Sequence, residues 1–135
     1  KIITIKKQGK INLTWITFNR DNHRAIQLKR AENLKLIYES GLADFLYNEF
    51  PGCTAVLFGS YSAGDDVYTE KKENRSDIDI AIIGTKGKNA EIGKFEILLE
   101  RTININFYES WSAVHKHLKD NILNGIILTG GVDLR

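Results

Sequence analysis

Apolar and polar positions alternate along the first 18 residues. Ile3 and Ile5 alternate with the polar Thr4 and Lys6, and Ile11, Leu13 and Trp15 with the polar Asn12 and Thr14, a spacing that Thr17 continues. That two-residue period predicts two strands. Between them lies Lys6-Lys7-Gln8-Gly9-Lys10, whose glycine supplies the free backbone of a tight turn. Residues 1–20 are expected to form a β-hairpin. An isolated hairpin is marginal in water, so this one needs a packing partner.

The period lengthens after residue 20. Asn19 to Asn22 reads as a turn, with Asp21 or Asn22 as a helix cap. Ala31, Leu34, Tyr38, Leu42, Phe45 and Leu46 then recur at helical spacing over residues 23–50. Gly41 divides that stretch into two helices, and Pro51-Gly52 ends it. The continuous apolar run from Cys53 to Phe58 fits a buried strand. Asp77 to Ile83 reads as a second central strand. Residues 90–100 predict a helix with Ile92, Phe95 and Leu99 on one side. A third strand follows over 102–108, with Ile103, Ile105 and Phe107 on one face and Asn104, Asn106 and Tyr108 on the other. Ser110 is expected to cap a helix whose stripe is Trp111, Val114, Leu118 and Ile122, closed by Gly125 before a short strand over 126–128. This order predicts an α/β (α+β) domain over residues 21–135. It would contain one small mixed sheet with helices on one face.

Composition sets outer bounds. With 135 residues and 42% hydrophobic content, the chain can bury one core. Its 19 basic and 17 acidic residues leave a net charge of +2, which does not by itself call for a polyanionic partner. A DNA contact would have to be local, and Lys6, Lys7 and Lys10 at the hairpin are the candidates. The same lysines also suit a solvated turn that discourages edge pairing. Cys53 is the single cysteine, so no disulfide framework exists and a cytoplasmic protein is expected. No apolar run is long enough for a membrane span, and no signal peptide is visible. The chain begins at Lys1 and has no methionine, as expected of a fragment or processed chain with room for an N-terminal domain.

Several residues carry a plainer reading. His115 and His117 straddle Lys116 on an expected helix and should point different ways, which argues against a metal site. Cys53 reads as inert core, and Trp15 and Trp111 as packing residues. Glu70-Lys71-Lys72-Glu73 reads as a solvated loop, and the stretch from Asp66 to Asn74 as surface.

The chemistry concentrates in Phe58-Gly59-Ser60-Tyr61-Ser62-Ala63-Gly64 and in Ser76-Asp77-Ile78-Asp79. Residues i and i+2 of a strand share a face, so Asp77 and Asp79 project side by side while Ile78, Ile80 and Ile82 enter the core. Two adjacent carboxylates repel, and a divalent cation relieves the repulsion. Magnesium takes hard oxygen ligands, commonly one or two carboxylates plus substrate phosphates. Gly59 lets a ligand approach the backbone closely. A helix starting at Ser60 would offer free N–H groups to phosphate, with the serine hydroxyl as a further donor. Together these make a metal–nucleotide site, in which two cations can serve the attacking oxygen and the departing pyrophosphate.

Gly59-Ser60 followed by Asp77-x-Asp79 resembles the signature of the minimal nucleotidyltransferases, within the DNA polymerase beta-like superfamily. The resemblance covers residues 55–108 by pattern. It implies a palm-like nucleotidyltransferase fold, magnesium or manganese as cofactor and a nucleoside triphosphate, ATP first, as ligand. It further implies metal ligation by Asp77 and Asp79, and nucleotide contact from Gly59 and Ser60. The flanks resemble an archaeal arrangement in which a winged-helix DNA-binding domain precedes the catalytic-type domain, residues 1–20 being its wing. The resemblance also allows an antitoxin role beside a toxin protein.

Three departures qualify the likeness. The spacer over residues 61–76 is longer than the family's. Its frequent arginine is replaced by Ala63, leaving Arg75 or Lys71 to supply the charge. The third carboxylate expected on the next strand is replaced by Asn104 and Asn106, which can lend an oxygen to a metal but no charge and no base. Glu109, just past that strand, is the candidate to swing in. The expected function is an enzyme that transfers a nucleoside monophosphate from a magnesium-bound triphosphate to a hydroxyl acceptor and releases pyrophosphate. The alternative is a nucleotide-binding regulatory module of a DNA-binding protein, and a carboxylate reaching the site from elsewhere, such as Glu109, distinguishes the two.

Overall fold

A computed structural model describes residues 22–133 in full and the backbone of residues 3–8 and 13–18. The N-terminal segment forms β1 (Ile3–Gln8) and β2 (Leu13–Phe18), paired antiparallel with Ile3 opposite Phe18 and Gln8 opposite Leu13. Lys6 and Lys7 belong to β1 rather than to the turn, opposite Trp15 and Thr14, residue types that favour extended backbone. Gly9, Lys10 and Asp21 lie outside the described residues.

A separate four-stranded sheet has the order β5-β4-β3-β6. Its strands are β3 (Thr54–Phe58), β4 (Ile78–Ile83), β5 (Ile103–Tyr108) and β6 (Ile126–Thr129). β3 runs antiparallel to β4 and β6, while β4 and β5 are parallel. The sheet is therefore mixed, and the fold is α+β as the sequence pattern predicts. The helices are α1 (His23–Ser40), α2 (Leu42–Glu49), α3 (Ser60–Ala63), α4 (Gly93–Leu99) and α5 (Lys116–Leu123). Asn22 is the cap of α1, its side-chain oxygen accepting the Ala25 amide at 3.1 Å.

The expectation of helices on one face needs correction. Ala55 and Leu57 of β3 and Ile78, Ile80 and Ile82 of β4 pack with Ile37, Leu42, Leu46, Phe95 and Leu99 from α1, α2 and α4. The alternate residues Val56, Phe58 and Ala81 pack with Val114, Leu118 and Ile122 on the other side. α5 therefore covers the second face. A central strand such as β3, buried at all five positions, requires cover on both sides.

Two further expectations shift. The buried positions of α1 are Ala25, Asn33 and Ile37, whereas Tyr38 is half exposed and Ala31 exposed. The apolar spacing misled because the inward face of α1 carries a polar residue, Asn33. The helix expected from Ser110 is instead a 3-10 turn (Trp111–Ala113), an extended break at Val114, and α5. His115 thus sits at the N-cap of α5 with non-helical backbone, which brings its ring to stack on that of His117, 5.6 Å between centroids. The two rings face each other rather than diverge.

Candidate functional site

The chain direction of the strands gathers the predicted residues at one end of the sheet. β3 ends just before Gly59, β4 begins after Asp77, and β5, parallel to β4, begins at the same end. Asp79 is in register with Phe58 on one side and Asn104 on the other. Asp79, two residues before Ala81 on β4, shares the face on which Ala81 packs with Val114 and Ile122, and Asp77 lies just before the strand. Asp77 is exposed and Asp79 half-buried, so neither bears the full cost of desolvation.

Asn104 joins them. Its amide nitrogen donates to Asp77 Oδ2 at 2.9 Å and to Asp79 Oδ1 at 3.2 Å. Turning the amide over would present its oxygen instead, giving two carboxylates and one carbonyl oxygen in a single accessible cluster. That hard-oxygen donor set suits magnesium, which retains positions for water and phosphate. Asn106 shares the face of Asn104 but is in register with Ala81, one step farther along β5. Among the described residues, no three His, Cys, Asp or Glu side chains gather into a metal cluster.

Gly59 borders the carboxylates directly. Its φ of 82° and ψ of −162° lie in a region open only to glycine. A Cβ built there would stand 2.8 Å from Asp79 Oδ2. The glycine therefore leaves the space beside the carboxylate that any other residue would fill. Ser60 is half-buried and opens α3, a single turn held by Ser62 Oγ donating to the Gly59 carbonyl at 2.8 Å.

Two predicted contributors are placed elsewhere. Arg75 donates to the Thr69 carbonyl, the Glu100 carbonyl and the Tyr68 hydroxyl, and stacks 4.3 Å from the Tyr68 ring. Its guanidinium is committed to the spacer and the end of α4. Glu109 pairs with Lys86 at 3.6 Å. It lies five residues along β5 from Asn104, or about 16 Å at the usual strand rise, and so belongs to the far end of the sheet.

Asp66 corrects the surface reading of the spacer. Its side chain is fully buried and accepts bonds from Lys29, Asn33 and Arg101. Burial alone would raise its pKa, but Arg101, Asn33 and Lys29 together hold it below the ordinary 3.8. Beside it, burial pushes the Tyr61 hydroxyl up to about 12, with Arg101 opposing. No spacing in the sequence marks Asp66. The one available sign was a polar position, Asn33, four residues before the buried Ile37 on the same helix face.

No helix among the described residues is long and apolar enough to cross a membrane. Comparison with protein-family models, with curated proteins and with solved structures brings out no match.

Proposed function

We propose that this domain binds a nucleoside triphosphate together with a divalent cation, in the manner of a nucleotidyltransferase. The observation that carries the reading is the close approach of Gly59 to Asp79. A backbone stripped of its side chain sits beside a pair of accessible carboxylates, Asp77 and Asp79. Phosphate oxygens can then lie against the backbone at Gly59 and Ser60 while the carboxylates stay within reach of the same phosphates. A divalent cation would supply charge neutralisation between carboxylates and triphosphate. Asp77 and Asp79 would hold it, with the Asn104 oxygen as a third, neutral donor.

In a transfer reaction, an acceptor hydroxyl oxygen bonds to the α-phosphorus and the bond to pyrophosphate breaks. The hydroxyl proton passes to a neighbouring carboxylate. Such transition states are stabilised mainly by positioning and electrostatics, which is what this cluster can offer. Asn104 favours a second reading, binding without transfer. It faces Asp79 in register, where a third carboxylate would add charge and basicity, and it supplies neither.

Calorimetric titration with a nonhydrolysable ATP analogue, with and without magnesium, tests the proposal. Magnesium-dependent binding that disappears in D77N/D79N supports it. Absence of binding for analogues of all four nucleotides sinks it. Transfer of a labelled nucleotide separates the two readings.

A further inference from the structure

Among the described residues, a buried polar cluster centred on Asp66 lies outside these carboxylates. Asp66, with no exposed side-chain surface, receives Lys29 Nζ at 3.1 Å, Asn33 Nδ2 at 2.8 Å and Arg101 Nη2 at 2.8 Å. Asn33 is 2% exposed. Its amide nitrogen also donates to the Tyr61 carbonyl at 2.9 Å, and its oxygen accepts from Lys29 at 3.2 Å. Nearly one turn earlier on α1, Arg30 Nε donates to the Ser62 carbonyl at 3.3 Å.

Tyr61 and Ser62 belong to α3, which has four residues and cannot be stable alone. Carbonyls in the last turn of a helix lack intrahelical partners. Here α1 supplies those partners. Gly64 permits the contact, since a Cβ at that position would stand 2.8 Å from the Ile26 carbonyl oxygen. Arg101, at the other end of the cluster, lies three residues before Asn104 on the same segment. The cluster thus connects the turn carrying Gly59 and Ser60 with the start of the strand carrying Asn104.

We propose that Asn33 and Asp66 are positioning residues for the nucleotide site. They hold α3 against α1, and so fix Gly59 and Ser60 relative to Asp79 and Asn104, without touching the ligand. The proposal rests on the nucleotide reading above. Burying ionic groups is a poor route to stability by itself, and a cluster kept for geometry makes distinct predictions.

The test uses the full chain with Asn33→Ala and Asn33→Asp, the second keeping the side-chain shape while turning an oxygen toward the Tyr61 carbonyl. Amide hydrogen exchange is read first, without ligand. The Ala63 and Gly64 amides, bonded to the Gly59 and Ser60 carbonyls, should exchange at least tenfold faster in both variants, with β3 and β4 amides unchanged. Affinity for Mn2+ alone should stay within twofold of wild type. Affinity for the ATP analogue with magnesium should fall at least tenfold. Wild-type exchange at Ala63 and Gly64 overturns the proposal. So does an equal loss of Mn2+ and nucleotide affinity, or faster exchange throughout the sheet. If neither Asn33 variant folds, Arg30→Ala replaces them, since Arg30 is exposed, with a threefold acceleration expected at the same amides and wild-type rates overturning the proposal. A wild-type protein that binds no nucleotide sinks the nucleotide reading, and the exchange data still decide whether α1 holds α3.

Discussion

Replacing Gly59 by alanine tests the geometry on which the nucleotide reading stands. The backbone there has φ 82° and ψ −162°, and holding a non-glycine residue in such a region costs about 1–3 kcal/mol. Alanine also restricts the unfolded chain, which returns about 0.4–1 kcal/mol. The new Cβ would stand 2.8 Å from Asp79 Oδ2, so the carboxylate must rotate away and loosen its 3.2 Å bond from Asn104. An accessible bond of that kind is worth about 0.5–1 kcal/mol. The sum is a destabilisation of about 2 kcal/mol, readable as a lowered urea midpoint with unchanged slope. Because the Cβ fills the space beside Asp79, affinity for the ATP analogue should fall tenfold or more, about 1.4 kcal/mol. Gly93→Ala is the control. A Cβ there meets nothing within 4 Å, and the residue opens α4, so the change should be neutral or stabilising by up to about 1 kcal/mol. If G59A unfolds at the same urea concentration as G93A and binds nucleotide like wild type, then Gly59 is an ordinary turn and the reasoning fails.

Asn104→Asp places a third carboxylate opposite Asp79. In EDTA it should destabilise by about 1–3 kcal/mol, since it removes both bonds donated by the Asn104 amide and adds a like charge beside two carboxylates. With Mn2+ it should tighten the metal about tenfold by calorimetry, and unchanged metal affinity would refute the placement of Asn104. Asp66→Asn leaves Lys29 and Arg101 without their buried partner and should cost about 3 kcal/mol at pH 7. The lowered pKa of Asp66 fixes the pH window. Its stabilisation is present above the unfolded value of 3.8 and is lost as the pH falls through the lower folded value. Urea midpoints of wild type and variant should therefore converge on acidification below about pH 4, and a constant gap would contradict the ion-pair account. Tyr61, raised to about 12 chiefly by burial, keeps its proton when folded. Stability should thus decline between pH 10 and 12, and Tyr61→Phe should abolish that part of the decline in the urea midpoint.

What the sequence made legible follows the strength of the local pattern. The strands were readable because their apolar residues are continuous in β3 and alternate in β5. Gly59, Asp77 and Asp79 stood out because a glycine ending an apolar strand, and carboxylates within one, contradict what burial favours. The phase of α1 was misread because its inward face includes Asn33, whose amide is satisfied by Tyr61 and Asp66, residues distant in sequence. Asp66 looked like surface for the same reason. An isolated aspartate in a polar loop carries no sign of the lysine and arginine that will meet it. The cover on the second face by Val114 and α5 was missed although the stripe of Val114, Leu118 and Ile122 was seen, because a stripe does not say which side of a sheet it will take.

Asn104 shows where the pattern and the geometry together lead. Alternation along β5 placed it on the face of the carboxylates, but only the parallel register with β4 sets it against Asp79 rather than one step away, where Asn106 lies. That register makes Asn104, and not Asn106 or Glu109, the residue on which the distinction between transfer and binding turns. With asparagine there, one amide satisfies both Asp77 and Asp79 and quiets their repulsion without a cation. A third aspartate would instead make the cluster dependent on metal. If the present residue suits a site that engages nucleotide reversibly, N104D should bind metal more tightly and gain transfer of a labelled nucleotide that wild type lacks. Equal transfer by wild type and N104D would show that the asparagine is no obstacle to chemistry.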